Sequence, residues 1–420
     1  MEVAIANVCG LDVHEALVVA CVLIGDGPRP AKTIRTFSAM RRDLIALREW
    51  LITLKVTHVV MEGTGIYWRP VYEVLEGAGG ALDIAVVNAR HVKNVPGRKS
   101  DVIDAEWLAR LLRSGLLRKS FVPAPAIRAL RDLSRYRRML VQAQTTEKNR
   151  ILKLVETMGI KLASVASDVF GTSGTAMLEA IAEGTKSTEQ IAQLARSALR
   201  QKLPELRLAL ECTIQSHHRT MLRDQLARLH ATAAEIAKYD CILQEHAAPY
   251  AEWIALLGTI DGVKHTAAIE IFAEVGPDLA SFPRESNFAS WAGTSPGLNE
   301  SAGKKKRGRR RRGNPYLTSI LVECALAATR KKGTYLSDKY RRLKARRPTL
   351  VALFAIANKL AGAVYRAIAT RTSYRDLGAA YLDRRNPVRT ARTLLKRLLD
   401  LGLDRSALLQ LLPSPGPSPT

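Results

Sequence analysis

The first 120 residues alternate between short apolar runs and longer mixed stretches. The segments 3-VAIANVCGLDV-13 and 17-LVVACVLIG-25 are rich in β-branched residues and separated by a short polar turn, which predicts a β-hairpin. A third strand is predicted around 33-TIRTFS-38, and a helix through 40-MRRDLIALREWLITL-54. A buried strand at 57-THVVMEGTG-65 follows, then a helix through 70-PVYEVLEGAG-79 and a strand at 83-DIAVVNA-89. The next amphipathic run, 99-KSDVIDAEWLARLL-112, reads as a helix after a basic loop. The order β-β-β-α-β-α-β-α describes a mixed α/β layer that opens with an antiparallel pair.

Pro123 and Pro125 close that layer, and the pattern changes to a helical period. Residues 126–158 predict one long basic helix. A Gly/Ser/Thr-rich break, 171-GTSGT-175, precedes further helices to about residue 248. Leu222, Leu226, Leu229 and Ile236 keep a helical spacing in polar surroundings, which predicts a long antiparallel helical pair or coiled coil. A second globular segment begins near Trp253, with helices expected at 317–329 and 349–368. The segment from 374 to 411 is basic and helical, and 413-PSPGPSPT-420 reads as disordered. The expected domains are therefore 1–122, 123–251, 252–370 and a tail at 371–420. The fold class is α/β plus α: an α/β N-terminal layer, a central helical coiled-coil arm and a mostly helical C-terminal domain.

Charge narrows the partner. The chain carries 64 Lys and Arg against 39 Asp and Glu, a net +25. Such an excess favours a polyanion, since each neutralised phosphate releases counterions. Ribosomal and membrane-surface proteins carry the same signature. The five cysteines are scattered without a CxxC pair, which argues against a disulfide framework or zinc ribbon. No uninterrupted apolar run of membrane length and no basic-then-apolar leader is present in the sequence, so a soluble, cytoplasmic protein without a membrane partner is expected.

Four acids stand where chemistry is possible. Asp12 closes the first strand and Glu62 closes the fourth, while Asp101 and Asp104 lie three apart on one face of the following helix. Taken singly, each has an ordinary reading as solvated surface or helix-start charge. If the two strands are neighbours, the four carboxylates meet at one sheet edge. Such a set repels itself without a cation, and hard oxygen donors select Mg²⁺ or Mn²⁺. Two ions about 4 Å apart stabilise both oxygens of a phosphoryl displacement. Arg90, His91, Lys93, Arg98 and Lys99 are placed to hold a phosphate backbone. The hairpin-first order fits a ribonuclease-H-like layer.

The segments GLDVH, VVMEGTGIYW and VNARHVKNVPGRKSDVIDAEWLARLL resemble the N-terminal domain of the insertion sequence 110/1111 family of transposases. The likeness continues through 169-VFGTSGTAMLEAI-181, closer to the 1111 subgroup, and into the C-terminal segment. It implies a RuvC-like domain whose Asp-Glu-Asp-Asp tetrad corresponds to Asp12, Glu62, Asp101 and Asp104 as metal ligands and catalytic groups.

In the C-terminal segment, 304-KKKRGRRRR-312 holds eight basic residues in nine. A solvated tail or localisation signal is the usual reading of such a run. Here it is internal and followed by Gly313-Asn314-Pro315, which predicts a nucleic-acid-gripping loop built on Lys304, Lys305, Lys306, Arg307, Arg309, Arg310, Arg311 and Arg312. Ser301, in 299-NESAG-303, precedes it in a cationic setting suited to a nucleophile. The resemblance assigns Ser301 as the catalytic serine of a composite site with the tetrad; Ser295, before a proline, is the nearest competitor. Ile260-Asp261-Gly262-Val263 is similar to a helix-hairpin-helix turn, with Lys264 at the usual second glycine; a plain packing turn fits as well.

The resemblance further implies double-stranded DNA as substrate, an element-encoded bridge RNA, and a homodimer or homotetramer at the nucleoid. A structure-specific metal nuclease using water, and a basic nucleic-acid-binding protein without catalysis, remain open on the residues alone.

Overall fold

A computed structural model describes residues 4–63, 65–89, 92, 104–297, 300–301, 304–305, 313–403 and 406–407; for 300–301 and 304–305 only the backbone is described. The chain divides into two compact units, residues 1–122 and 123–420.

The first unit holds a five-stranded mixed sheet in the order β3-β2-β1-β4-β5. The strands are β1 Val8–Val13, β2 Leu17–Ile24, β3 Ala31–Ser38, β4 His58–Glu62 and β5 Asp83–Val87. β1 and β2 form the expected hairpin, with Val13 opposite Val18, and His14 donates its backbone N–H to Leu17 O to tighten the turn. β1–β4 and β4–β5 are parallel. The two central parallel strands read as near-continuous apolar runs because both of their faces are covered. β3 is mostly exposed and carries Lys32 and Arg35, charges that discourage edge pairing.

Helices α1 (Arg41–Thr53) and α2 (Trp68–Glu76) cover one face. Leu44, Leu47 and Leu51 of α1, with Val71, Val74 and Leu75 of α2, pack on Cys9, Leu11, Val59 and Met61. The other face is closed by α3 (Asp104–Arg113), whose Ala105, Leu108 and Leu112 pack on Val8 and Val60. Strand alternation thus sends neighbouring residues of β1 to different helices.

The second unit is built from helices. α4 (Pro125–Thr157) and α6 (Ser216–Ala247) run antiparallel, as the bonds Tyr136–Glu235 at one level and Arg228–Glu147 at another establish. Leu222, Leu226 and Leu229 do not bury themselves in a two-helix seam. They enter a cluster with Ile151, Leu154 and Leu206, and with Met177 and Ile181 of α5 (Thr172–Glu183). The helical pair is present, and the cluster replaces the expected coiled-coil burial over that stretch.

The remainder comprises α7 (Ala251–Gly258), α8 (His265–Val275), α9 (Glu285–Trp291), α10 (Pro315–Arg330), α11 (Tyr335–Lys344), α12 (Thr349–Thr370) and α13 (Pro387–Asp400). Among the described helices, α12 has the length and apolarity to cross a membrane. Here it is the core of the unit, packed against α7, α9, α10 and α11.

Candidate active site

Leu11 of β1 lies opposite Met61 of β4, so Asp12 and Glu62 are the next residues on two adjacent parallel strands. Leu11 and Met61 point into the core under α1 and α2, which by period two leaves Gly10, Asp12 and Glu62 on the α3 side. α3 lies against β1 at Gly10: a Cβ there would stand 2.1 Å from Ala105 O and 2.5 Å from Ala109 N. The helix runs opposite to β1, because Ala4 and Ile5 donate to Arg113 O at its far end. Asp104, the first residue of α3, is therefore carried to the edge where β1 and β4 finish. Asp12, Glu62 and Asp104 share that edge. Asp101 lies outside the described residues, as do Arg90, His91, Lys93, Arg98 and Lys99. Among the described residues no three His, Cys, Asp or Glu side chains already stand together as a metal cage.

Asp12 is half-buried and accepts a bond from His14 Nε2 at 3.0 Å. His14 thus holds one of the candidate acids from two residues away. Tyr67 is exposed, with its hydroxyl donating to Glu15 at 3.4 Å, whereas Trp68 packs edge-on against Tyr72 over the core. Glu106, two residues after Asp104, does something different. It is buried and holds Lys32 of β3 at 3.1 Å and Arg110 at 2.7 Å. Burial works against its charge, but the bonds from Arg110 and Lys32 prevail and hold its carboxyl below the usual range. It pins α3 to the sheet.

Ser301 lies in a small hairpin. β6 (Glu300–Ser301) pairs antiparallel with β7 (Lys304–Lys305), with Ser301 opposite Lys304. Ser301 is thus the last residue of β6. Lys306, Arg307 and Arg309 to Arg312 lie outside the described residues.

The two ends of this segment are pinched together. A Cβ at Gly313 would fall 2.3 Å from Gly293 N, and Asn314 N–H donates to Trp291 O at 2.8 Å. Asn314 caps α10 by accepting from Tyr316 N and Leu317 N. Its Nδ2 donates to Glu274 Oε2 at 2.6 Å. Glu274, 1% exposed, also takes both arms of Arg135 at 2.7 and 2.9 Å. Arg131 and Arg135, with Arg137 and Arg138 on Glu270, spend much of the basic charge of α4 inside the unit.

The Ile260–Val263 turn behaves as a packing unit. Gly262 has φ +86°, and a Cβ on it would meet Cys324 O at 2.3 Å, so its backbone lies directly on α10. Asp261 is buried and paired with Lys331 at 2.5 Å. The His217 and His218 rings lie 4.0 Å apart, tilted by 49°, at the start of α6.

A transposase model of the DEDD, IS110 type matches residues 9–160, a span containing all four tetrad positions. A second, described as the transposase IS116/IS110/IS902 family, matches residues 254–341, including Ser301 and the basic run. A Pseudomonas aeruginosa protein named as a family 20 transposase is 26% identical over 285 residues, covering 67% of this chain and 75% of its own. A Sinorhizobium fredii transposase named y4pF/y4sB is 28% identical over 286 residues, or 66% of this chain and 64% of its own. With both family matches spanning more than half of its residues, the chain belongs to the IS110 family of transposases.

Proposed function

We propose that this transposase cuts and exchanges DNA strands at a composite site of its 1111-type branch, with Asp12, Glu62, Asp101 and Asp104 supplying one half and Ser301 the other. The observation that carries the proposal is the seating of α3 on Gly10, which delivers Asp104 to the edge where Asp12 and Glu62 end their strands. Oxygen donors of this kind fit a hard divalent cation, Mg²⁺ or Mn²⁺, which when bound would supply charge stabilisation at the scissile phosphate. The protein groups do the rest. The Ser301 hydroxyl loses its proton as its Oγ forms a bond to phosphorus, and the leaving strand oxygen departs with the P–O bonding pair and is protonated. The hydroxyl of the incoming strand then attacks the phosphoserine, returning the pair to Oγ and joining the new strands. Arg98 and Lys99, with Lys304 to Arg312, hold the backbones.

An element-encoded bridge RNA as guide, a homodimer or homotetramer mediated by the helical arm, and a nucleoid location belong to the same proposal. Recombination engages two duplexes, and the charge suits two polyanions.

The test is cleavage of element-end DNA with Mg²⁺ and the candidate RNA, resolved on a denaturing gel that retains protein–DNA adducts. Wild type should give a protease-sensitive adduct, while Asp12→Asn and Ser301→Ala should each lose cleavage by at least a hundredfold. Cutting by Ser301→Ala but not by Asp12→Asn would instead identify a metal nuclease that uses water. DNA binding with no cleavage by wild type would leave a binding protein.

A further inference from the structure

Beyond residue 341, past both family matches, the chain is strongly basic: Arg342 to Asp400 holds 14 basic residues and three acidic ones. In this region the end of α11, the turn at Tyr381–Arg384 and the face of α13 enclose a cleft of about 890 Å³. The acids lining it are Asp338 and Asp383, and Arg342 already engages both, at 2.6 and 2.5 Å. Arg346, Arg385, Arg389 and Arg397 line the same cleft without a carboxylate partner among the described residues. Arg389 and Arg397 stand eight residues apart on one face of α13, about 12 Å along the helix, so the charge is spread along the cleft.

Like charges around one concavity raise each other's energy, and the complement is a chain of regularly spaced anions. Guanidinium groups match phosphate oxygens in geometry as well as charge. We infer that this cleft is a second nucleic-acid site that takes the phosphodiester backbone of one strand, with Arg346 on one wall and Arg385, Arg389 and Arg397 on the other. Contacts of this kind position a nucleic acid without reading its bases. The inference rests on the nucleic-acid partner in the function proposed above and is independent of the metal and serine chemistry.

The test compares the full chain with the triple variant Arg385→Gln, Arg389→Gln, Arg397→Gln. Fluorescence anisotropy reads binding to a duplex DNA and to a structured RNA of equal charge across a salt series. Loss of three phosphate contacts should flatten the slope of log K against log salt by about 2–3 on one of the two ligands, and the affected ligand identifies the strand. The triple lysine variant keeps the charge and should keep the slope, which separates phosphate binding from misfolding. Unchanged slopes on both ligands, with wild type still binding, overturn the cleft and leave the proposed function standing. A slope change accompanied by a lower molecular mass would overturn it in favour of a contact between copies. Failure of wild type to bind either ligand would overturn both proposals.

Discussion

A methyl group at Gly10 has no place to go. It would overlap the backbone of α3 at Ala105 and Ala109, and backbone of a packed helix moves only with the helix. Gly10→Ala should therefore push α3 off β1, destabilise the first unit by about 1–3 kcal/mol or more, and carry Asp104 away from Asp12 and Glu62. DNA cleavage should fall more than tenfold at a temperature where circular dichroism still shows the variant folded. Activity within twofold of wild type would mean that the seating of α3 does not set the site. Sequence reading selected the acids and passed over this glycine, although a glycine inside a strand is itself a sign of close backbone approach. Glu106 carried the opposite ambiguity. Its spacing makes it as plausible a ligand as Asp104, and only its burial against Lys32 and Arg110 identifies it as structural.

At the scale of elements, what the sequence predicted well is what apolar periodicity encodes. β2, α1 and α12 were legible because β-branched or leucine-rich runs have no other way to bury themselves. α11 was not, because its sequence YLSDKYRRLK buries only Leu336 and Ser337 and so shows almost no apolar stripe. The hairpin of β6 and β7 has two residues per strand, too few for a period. The brace beneath it joins residues far apart in sequence: Arg135 on α4, Glu274 on α8 and Asn314 at the cap of α10. No local pattern encodes such a meeting. Glu274→Gln leaves Arg131 and Arg135 facing a neutral group in a buried place, at a cost of about 3–5 kcal/mol. Denaturant unfolding followed by Trp253 fluorescence, whose ring lies against Phe272 of α8, should show that loss. A change below about 1 kcal/mol would mean that Glu274 is not the anchor of the segment bearing Ser301.

The two units of the whole molecule differ in charge. Residues 1–122 hold 16 basic and 13 acidic residues, and residues 123–420 hold 48 and 26, so most of the excess sits with the helical unit. Each unit has its own core, and chains of that kind need not unfold in one transition. Acid should act on them differently through Glu106. Its folded-state pKa is depressed by Arg110 and Lys32, while in the unfolded chain it takes up a proton near pH 4.3. Between those two points the unfolded state binds more protons, so the stability that Glu106 contributes is complete above about pH 5 and is lost as pH falls through the folded-state pKa. Glu106→Gln should accordingly cost the first unit about 1–3 kcal/mol at neutral pH, the worth of its charged hydrogen bonds. The gap between wild type and variant should narrow progressively below pH 4.3, because wild type then loses the same bonds by protonation. Hydrogen exchange resolved by segment reads the two units separately, and the second should respond to the substitution little at any pH. A gap that stays constant down to pH 2 would assign the effect of Glu106 to packing and not to its charge.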